Sequence, residues 1–150
     1  MASQTSDKID LLSLARVAGF ATLIATGVVL GLVVLAGVVG ANLVVAPEFG
    51  SGPPDEMEAW AAAAATVFGG FAGLVLALLS RQLKQRPTGL FLSLCLLGLL
   101  AYGFIAVIRS EEISTAIWLN LMHLAAAVPI VGMLGTALVK ETSDEEIQST

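Results

Sequence analysis

The sequence predicts an all-α membrane protein, a single domain in which four transmembrane helices form a bundle and both termini lie in the cytoplasm. Hydrophobic residues make up 57% of the 150-residue chain and charged residues only 13%, whereas soluble domains carry roughly 25% charged residues. The charges lie at the two chain ends and in three short gaps between long apolar runs. Each run reaches the ~20 residues that a helix needs to cross a bilayer. The runs are continuous rather than alternating, which favours helices over barrel strands.

The first span is predicted over residues 14–46 and ends at Pro47, before the loop sequence GSGPP at 50–54. It is longer than one crossing requires, so we expect it to tilt or to begin in the headgroup region. A cleaved signal peptide is the alternative interpretation. The apolar run is about 30 residues long, against 7–15 for the apolar region of a signal peptide. Pro47 also makes a poor cleavage site, so we interpret the run as a retained span.

Three further spans are predicted over residues 59–79, 89–108 and 113–139. Acidic residues from Asp55 onward suit the N-terminus of the second helix, and the sequence RPTG at 86–89 predicts a turn before the third. Ser110 suits the N-cap of the fourth helix. Pro129 lies inside that helix and predicts a kink or a loosened turn. We expect the acidic tail at 141–150 to be disordered and solvated.

The positions of lysine and arginine predict the direction of the helices. Basic residues flank the start of the first span, the connection between the second and third spans, and the end of the fourth span: Lys8, Arg16, Arg81, Lys84, Arg86 and Lys140. The loop at 47–58 carries none, and the connection near Ser110 carries one, Arg109. The positive-inside rule therefore places both termini and the middle loop in the cytoplasm. Trp60 and Trp118 fall at the outer ends of spans, where an aromatic belt is expected.

Small residues predict where helices approach each other closely. Lipid tails give apolar helices little hydrophobic reason to associate, so interfaces favour small side chains. The residues concerned are Gly27 and Gly31 in the first span and Ala61, Ala65, Gly69, Gly73 and Ala77 in the second. We favour packing inside the four-helix bundle as their role, and a homo-oligomer interface stays open beside it.

Four polar side chains predict a candidate binding site near the outer face. Asn42, Tyr102, Asn120 and His123 fall at one level of the predicted bundle, and Asn120 and His123 share a helix face because they are three residues apart. Acidic residues of the outer loop lie above this level: Glu48, Asp55, Glu56 and Glu58. One interpretation is an outward-facing site, such as a proton-sensing histidine, a metal vestibule or a polar ligand pocket. The interpretation we favour is a clasp of interhelical hydrogen bonds, each contributing about 0.6 kcal/mol.

The sequence gives little support for catalysis or for a cofactor. The chain has one histidine and one cysteine, Cys95, which do not make up a closed metal site of the usual kind. A P-loop, a serine-triad signature and a redox CxxC pair are missing from the sequence. The spans carry no acidic residue at mid-membrane, as a proton-coupled pump usually requires. We therefore expect no enzyme, no cofactor and no metal, and the lack of a basic patch argues against nucleic-acid binding.

The fourth span carries a resemblance to a known group of proteins. Its sequence LNLMHLAAAVPI at 119–130, with the Ala- and Gly-rich second span and the basic loop at 81–86, resembles small four-span membrane proteins of actinobacteria that are grouped as domains of unknown function. The resemblance covers about residues 14–139. It implies a four-helix bundle in the plasma membrane of a bacterium, and it implies no activity and no functional residue.

Two classes of function follow from these observations. The first is a structural or accessory membrane subunit, which packs in the lipid bilayer against another membrane protein or against itself. The second is a small channel or transporter that uses the level of Asn42, Tyr102, Asn120 and His123. The sequence favours the first, because it has small-residue stripes, short loops and no charge at the membrane centre.

Overall fold

A computed structural model describes residues 3–41, 43–45, 55–82, 87–110 and 112–148. The elements, in chain order, are α1 (Ser3–Val38), β1 (Val44–Val45), β2 (Asp55–Glu56), α2 (Ala59–Gln82), α3 (Pro87–Arg109) and α4 (Ile113–Gln148). Each of the four helices contains a segment long and apolar enough to cross a membrane: Leu11–Val38, Ala59–Gln82, Pro87–Ile108 and Ile113–Lys140. These helices pack together, which confirms the predicted all-α bundle of four membrane helices. The cytoplasmic position of the termini stays a prediction.

The first helix ends at Val38, eight residues before the predicted end of the span at 46. Gly40 stops it, because its φ of 75° lies in the left-handed region that favours glycine. The Gly40 N–H donates to the carbonyl of Gly37 at 3.1 Å, and the Ala41 N–H donates to the carbonyl of Ala36 at 2.9 Å. This pair of bonds is a Schellman motif, which satisfies carbonyls at the end of a helix.

A short sheet joins the connections at one end of the bundle. Strands β1 and β2 are antiparallel, with Val44 opposite Glu56 and Val45 opposite Asp55. The Met57 N–H donates to the carbonyl of Leu43 at 2.7 Å, next to this pair. Val45 also forms an isolated bridge with Ser110, in the connection between α3 and α4. We call this end the hairpin end and the opposite end, where α1 begins and α4 ends, the terminal end.

The start and the end of α4 both differ from the prediction. Glu112 takes the N-cap position, because its carbonyl accepts from the Ala116 N–H at 3.2 Å and its carboxylate accepts from the Ser114 hydroxyl at 3.0 Å. Ser110 instead closes α3, since its hydroxyl donates to the carbonyl of Ala106 at 2.8 Å. The helix continues to Gln148, so residues 141–148 are helical and not disordered. Extending a formed helix costs little compared with starting one, and glutamate has good helix propensity.

The helices pack in the order of the chain around a square. Helix α1 contacts α2 and α4 most extensively, and α3 contacts α2 and α4, while α2 and α4 also meet across the diagonal. Two apolar clusters fill the interior. The cluster at the terminal end includes Leu14, Ala77, Phe91 and Leu134. The cluster at the hairpin end consists of Val29, Ala36, Leu43, Ala62 and Met122, with Met57 and Trp118 packed against it.

In the half of α2 nearer the hairpin end, the residues that face inward are not those of the predicted small-residue stripe. Gly73 and Ala77 are buried, but Ala61 is half-buried and Ala65 and Gly69 are exposed. The buried residues are Ala62, Thr66, Gly70, Gly73, Ala77 and Ser80. Their spacings are four, four, three, four and three residues, which average to the 3.6 residues of a helical turn. A strict spacing of four rotates by about 40° at each step and leaves the inward face.

Two contacts of α2 show why glycine stands on that face. A Cβ placed on Gly70 would lie 2.0 Å from Oγ1 of Thr22 in α1, and one on Gly73 would lie 3.0 Å from Cγ2 of Ile130 in α4. By contrast, a Cβ on Gly27 or Gly31 would meet nothing within 4 Å. These two glycines of α1 are exposed and therefore do not pack inside the bundle. A homo-oligomer interface at the exposed small residues stays a prediction.

Candidate functional site

Tyr102 of α3 and His123 of α4 meet where these two helices pack together. Their ring centroids are 4.1 Å apart, with an angle of 31° between the ring planes. Each is carried by a transmembrane helix, so the pair is fixed by the packing of α3 on α4. Two of the four predicted site residues are therefore in direct contact.

The hydrogen bond of His123 defines its tautomer. Nδ1 lies 2.6 Å from the carbonyl oxygen of Leu119, one turn earlier in α4. A carbonyl oxygen can only accept, so Nδ1 of the neutral ring carries the hydrogen and Nε2 carries the lone pair. Within the described part of the chain, no hydrogen bond involves Nε2.

Asn120 joins the same face through a close approach to α3. Its amide Nδ2 donates to the carbonyl of Ala116 at 2.9 Å and makes a longer, weaker contact of 3.4 Å with the carbonyl of Gly103. A Cβ placed on Gly103 would lie 2.6 Å from Oδ1 of Asn120. Only glycine leaves room for this amide, and the TyrGly sequence at 102–103 is the signal that could have revealed the contact.

The cluster of Tyr102, Asn120 and His123 lies where α3 packs on α4. Tyr102 is 41% exposed, and Asn120 and His123 are half-buried. On α4, His123 lies seven residues after the buried Ala116 and seven before the buried Ile130, so it is on the inward side of the helix. The expectation that the bundle encloses the polar residues stays a prediction.

The fourth predicted site residue, Asn42, lies outside the described residues, as does Glu48 of the expected acidic cap. Within the described part, the Glu58 carboxylate accepts a hydrogen bond from the indole of Trp60 at the start of α2. The described residues contain no group of three or more His, Cys, Asp or Glu side chains that could hold a metal ion.

Three threonines of the spans bond to the backbone of their own helices. Thr22 donates to the carbonyl of Ala18 at 2.7 Å, Thr26 to that of Thr22 at 2.8 Å, and Thr66 to that of Ala62 at 2.8 Å. Ser80, which the sequence analysis did not single out, is fully buried in α2, and its hydroxyl has no hydrogen-bond partner.

Comparisons with known proteins assign the chain at the level of the family. A model described as a family of unknown function, DUF6069, matches residues 10–140. Searches among curated proteins and among solved structures gave no match. The expected likeness to a family of unknown function is thus confirmed, while the actinobacterial origin and the four-span character of the family stay predictions.

Proposed function

This chain belongs to the DUF6069 family, and from its own residues we propose that it is a non-enzymatic accessory subunit that binds another membrane protein in the plasma membrane of a bacterium. The observation that carries the proposal is the exposure of α3, the helix least covered by the rest of the chain. Its exposed apolar side chains form a face that a partner helix can cover.

The apolar interior favours this function over the small channel or transporter. A conduction or transport path needs polar groups or water along its wall. At the level of His123 the space between the helices is filled by apolar side chains of the hairpin-end cluster, among them Val29, Leu43 and Met122.

The depth of the polar cluster in the bilayer supports a protein contact. His123 lies ten residues after the start of α4 at Ile113, about 15 Å along the helix axis. The apolar segment Ile113–Lys140 has 28 residues, which span about 42 Å and exceed the ~30 Å of hydrocarbon by roughly 6 Å at each end. The imidazole is therefore about 9 Å inside the hydrocarbon, where polar side chains are costly unless they are paired.

The third helix is the one least covered by the rest of the chain. It buries 11% of its apolar segment, against 22% for α1 and 28% for each of α2 and α4. Its exposed face includes Leu97, Leu100 and Phe104. A partner helix that packs on α3 would cover this face.

The test is to purify the tagged protein in native lipid and to measure the intact particle by native mass spectrometry. The accessory function predicts a second membrane protein in constant ratio to this chain. A particle that contains this chain alone, as a monomer or a homo-oligomer, would overturn it. The purification is repeated with an unrelated four-span protein carrying the same tag, so that contaminants of the lipid particle are subtracted.

A further inference from the structure

We propose that the terminal end of the bundle binds the headgroup of an anionic phospholipid, with the lipid phosphate held between Arg16 of α1 and Lys140 of α4. The ligand is a phospholipid whose headgroup carries a net negative charge, such as phosphatidylglycerol. This inference goes beyond the proposed function and does not depend on it, since a lipid can occupy this place whether or not a protein partner is bound.

Arg16 is a cation on the lipid-facing side of α1. It is exposed and lies two residues from each of the buried residues Leu14 and Ala18. Two residues turn a helix by about 200°, so Arg16 points away from the bundle interior. It makes no hydrogen bond and no ion pair to the described residues, whereas Arg81, near the same end, does interact within the chain. A counter-charge for Arg16 is therefore supplied by its surroundings.

The depth of Arg16 matches the boundary between the hydrocarbon and the headgroups. The apolar segment Leu11–Val38 has 28 residues, which exceed the ~30 Å of hydrocarbon by roughly 6 Å at each end. Arg16 is five residues after Leu11, about 7.5 Å along the helix axis, so its Cα lies roughly 1.5 Å inside the hydrocarbon. From there the apolar stem of an arginine runs toward the terminal end and brings the guanidinium to the lipid phosphates.

Lys140 supplies the second cation on the adjacent helix. It ends the apolar segment Ile113–Lys140, so its Cα lies at the level of the headgroups, about 6 Å outside the hydrocarbon. It is exposed and makes no hydrogen bond or ion pair with any residue that the structure describes. Gly135 faces α3, because a Cβ on it would lie 3.7 Å from Cδ2 of Leu92. Lys140 comes five residues later, which turns it by about 140° from α3 toward the side of α1.

The packing of α1 on α4 brings the two cations to one place at the terminal end. These two helices share the most extensive contact in the bundle. Leu14 and Leu138, each two residues before one of the cations, belong to the same buried cluster. A phosphate between the cations accepts two parallel hydrogen bonds from the guanidinium of Arg16, and it pairs with the ammonium of Lys140 as a point charge.

The charges at the two ends of the bundle favour an anionic lipid at the terminal end. At the hairpin end, the charged side chains that the structure describes are carboxylates, all of them exposed: Glu56, Glu58 and Glu112. They repel an anionic headgroup, whereas basic residues near the membrane surface attract one. A zwitterionic headgroup carries its own cationic group, which opposes the attraction of Arg16 and Lys140. A headgroup with a net negative charge is therefore the ligand that complements this pair.

Four substitutions test the site. Arg16→Gln and Lys140→Gln each remove one positive charge and keep a long polar side chain. Arg16→Lys keeps the charge and loses the two parallel hydrogen bonds. Gln82→Glu is the matched control, because Gln82 is exposed at the end of α2. This change lowers the net charge of the chain by one, as Arg16→Gln does, but on another helix.

The experiment counts the lipids that stay bound to the full-length chain. The protein is reconstituted in nanodiscs of phosphatidylcholine and phosphatidylglycerol in equal amounts, released in mild detergent and measured by native mass spectrometry. We expect the wild type to retain phosphatidylglycerol in preference to phosphatidylcholine. Arg16→Gln and Lys140→Gln should each lower this preference about fivefold, the effect of one basic residue near an anionic membrane surface. Arg16→Lys should lower it by less, and Gln82→Glu should leave it unchanged.

Other outcomes would overturn the proposal. Equal retention of the two lipids by the wild type would remove the site. Equal losses in Arg16→Gln and Gln82→Glu would show that net charge, rather than the pair of Arg16 and Lys140, attracts the lipid. Release of the bound lipid by an excess of inorganic phosphate would identify free phosphate as the ligand. The fluorescence of Trp60 and Trp118 checks that each variant is folded. The protein partner is sought separately in native lipid, so failure of either proposal leaves the other standing.

Discussion

Replacing Gly70 by alanine tests the close approach of α1 and α2 that the structure depends on. The added Cβ would lie 2.0 Å from Oγ1, 2.8 Å from Cγ2 and 2.9 Å from Cβ of Thr22. Rotating the threonine side chain moves Oγ1 and Cγ2 but leaves Cβ in place. The two helices must therefore separate by about 0.7 Å to restore a carbon–carbon contact of ~3.6 Å. Overpacking of this kind costs about 1–3 kcal/mol.

The neighbouring glycine supplies the matched control. A Cβ on Gly69 meets nothing within 4 Å, so Gly69→Ala adds the same methyl group and the same gain in helix propensity, up to ~1 kcal/mol, without the contact. The free energy of unfolding is measured in mixed micelles of a mild detergent and dodecyl sulfate, followed by the fluorescence of Trp60 and Trp118. We expect Gly70→Ala to be less stable than Gly69→Ala by about 1–3 kcal/mol.

A compensating change tests whether the contact itself is the cause. Thr22→Gly removes all three atoms that the new methyl group would meet. In a double-mutant cycle, the combination of Gly70→Ala with Thr22→Gly should therefore be more stable than the sum of the two single changes predicts. Equal stability of the two alanine variants, or a strictly additive cycle, would refute the packing of Thr22 on Gly70.

Three further predictions follow from other positions. Gly103→Ala should displace the Asn120 amide, because its Oδ1 would lie 2.6 Å from the new Cβ, and should lower the free energy of unfolding by about 1–2 kcal/mol. Gly98→Ala has open space around the new Cβ and should not lower the free energy of unfolding. Equal free energies of unfolding for the two variants would contradict the contact. Gly40→Ala should lower the free energy of unfolding by about 1–2 kcal/mol, because the left-handed φ of 75° strains any residue with a side chain. A similar loss for Gly37→Ala in the same assay would show that the left-handed φ is not the cause. Single cysteines at Glu56 and Lys140, in a Cys95→Ala background, should react with a membrane-impermeant thiol reagent from opposite sides of the membrane, with Glu56 labelled in intact cells; labelling of Lys140 instead would reverse the predicted orientation.

The sequence predicted parts of the candidate site and missed others. The helical spacing of Asn120 and His123 placed both on one face of α4, which the structure shows. The contact of His123 with Tyr102 depends on the relative rotation of α3 and α4. The position of a residue along its own helix does not specify that rotation. The helical end at Val38 could have been read from Gly40, since a glycine after an apolar helix is a frequent stop signal. The apolar run continues past Gly40, and the predicted span was therefore extended to residue 46.

The sequence by itself determined the number, type and approximate bounds of the membrane helices. The length of an apolar run, compared with the thickness of hydrocarbon, is a property of one segment and needs no knowledge of the others. Only the tertiary structure decided which face of each helix turns inward. Lipid and protein interior are equally apolar, so hydrophobicity did not distinguish Met122 inside from Leu121 outside, or Gly70 in a contact from Gly69 in open space. That choice depends on which small residues allow two particular backbones to approach, and therefore on the whole bundle.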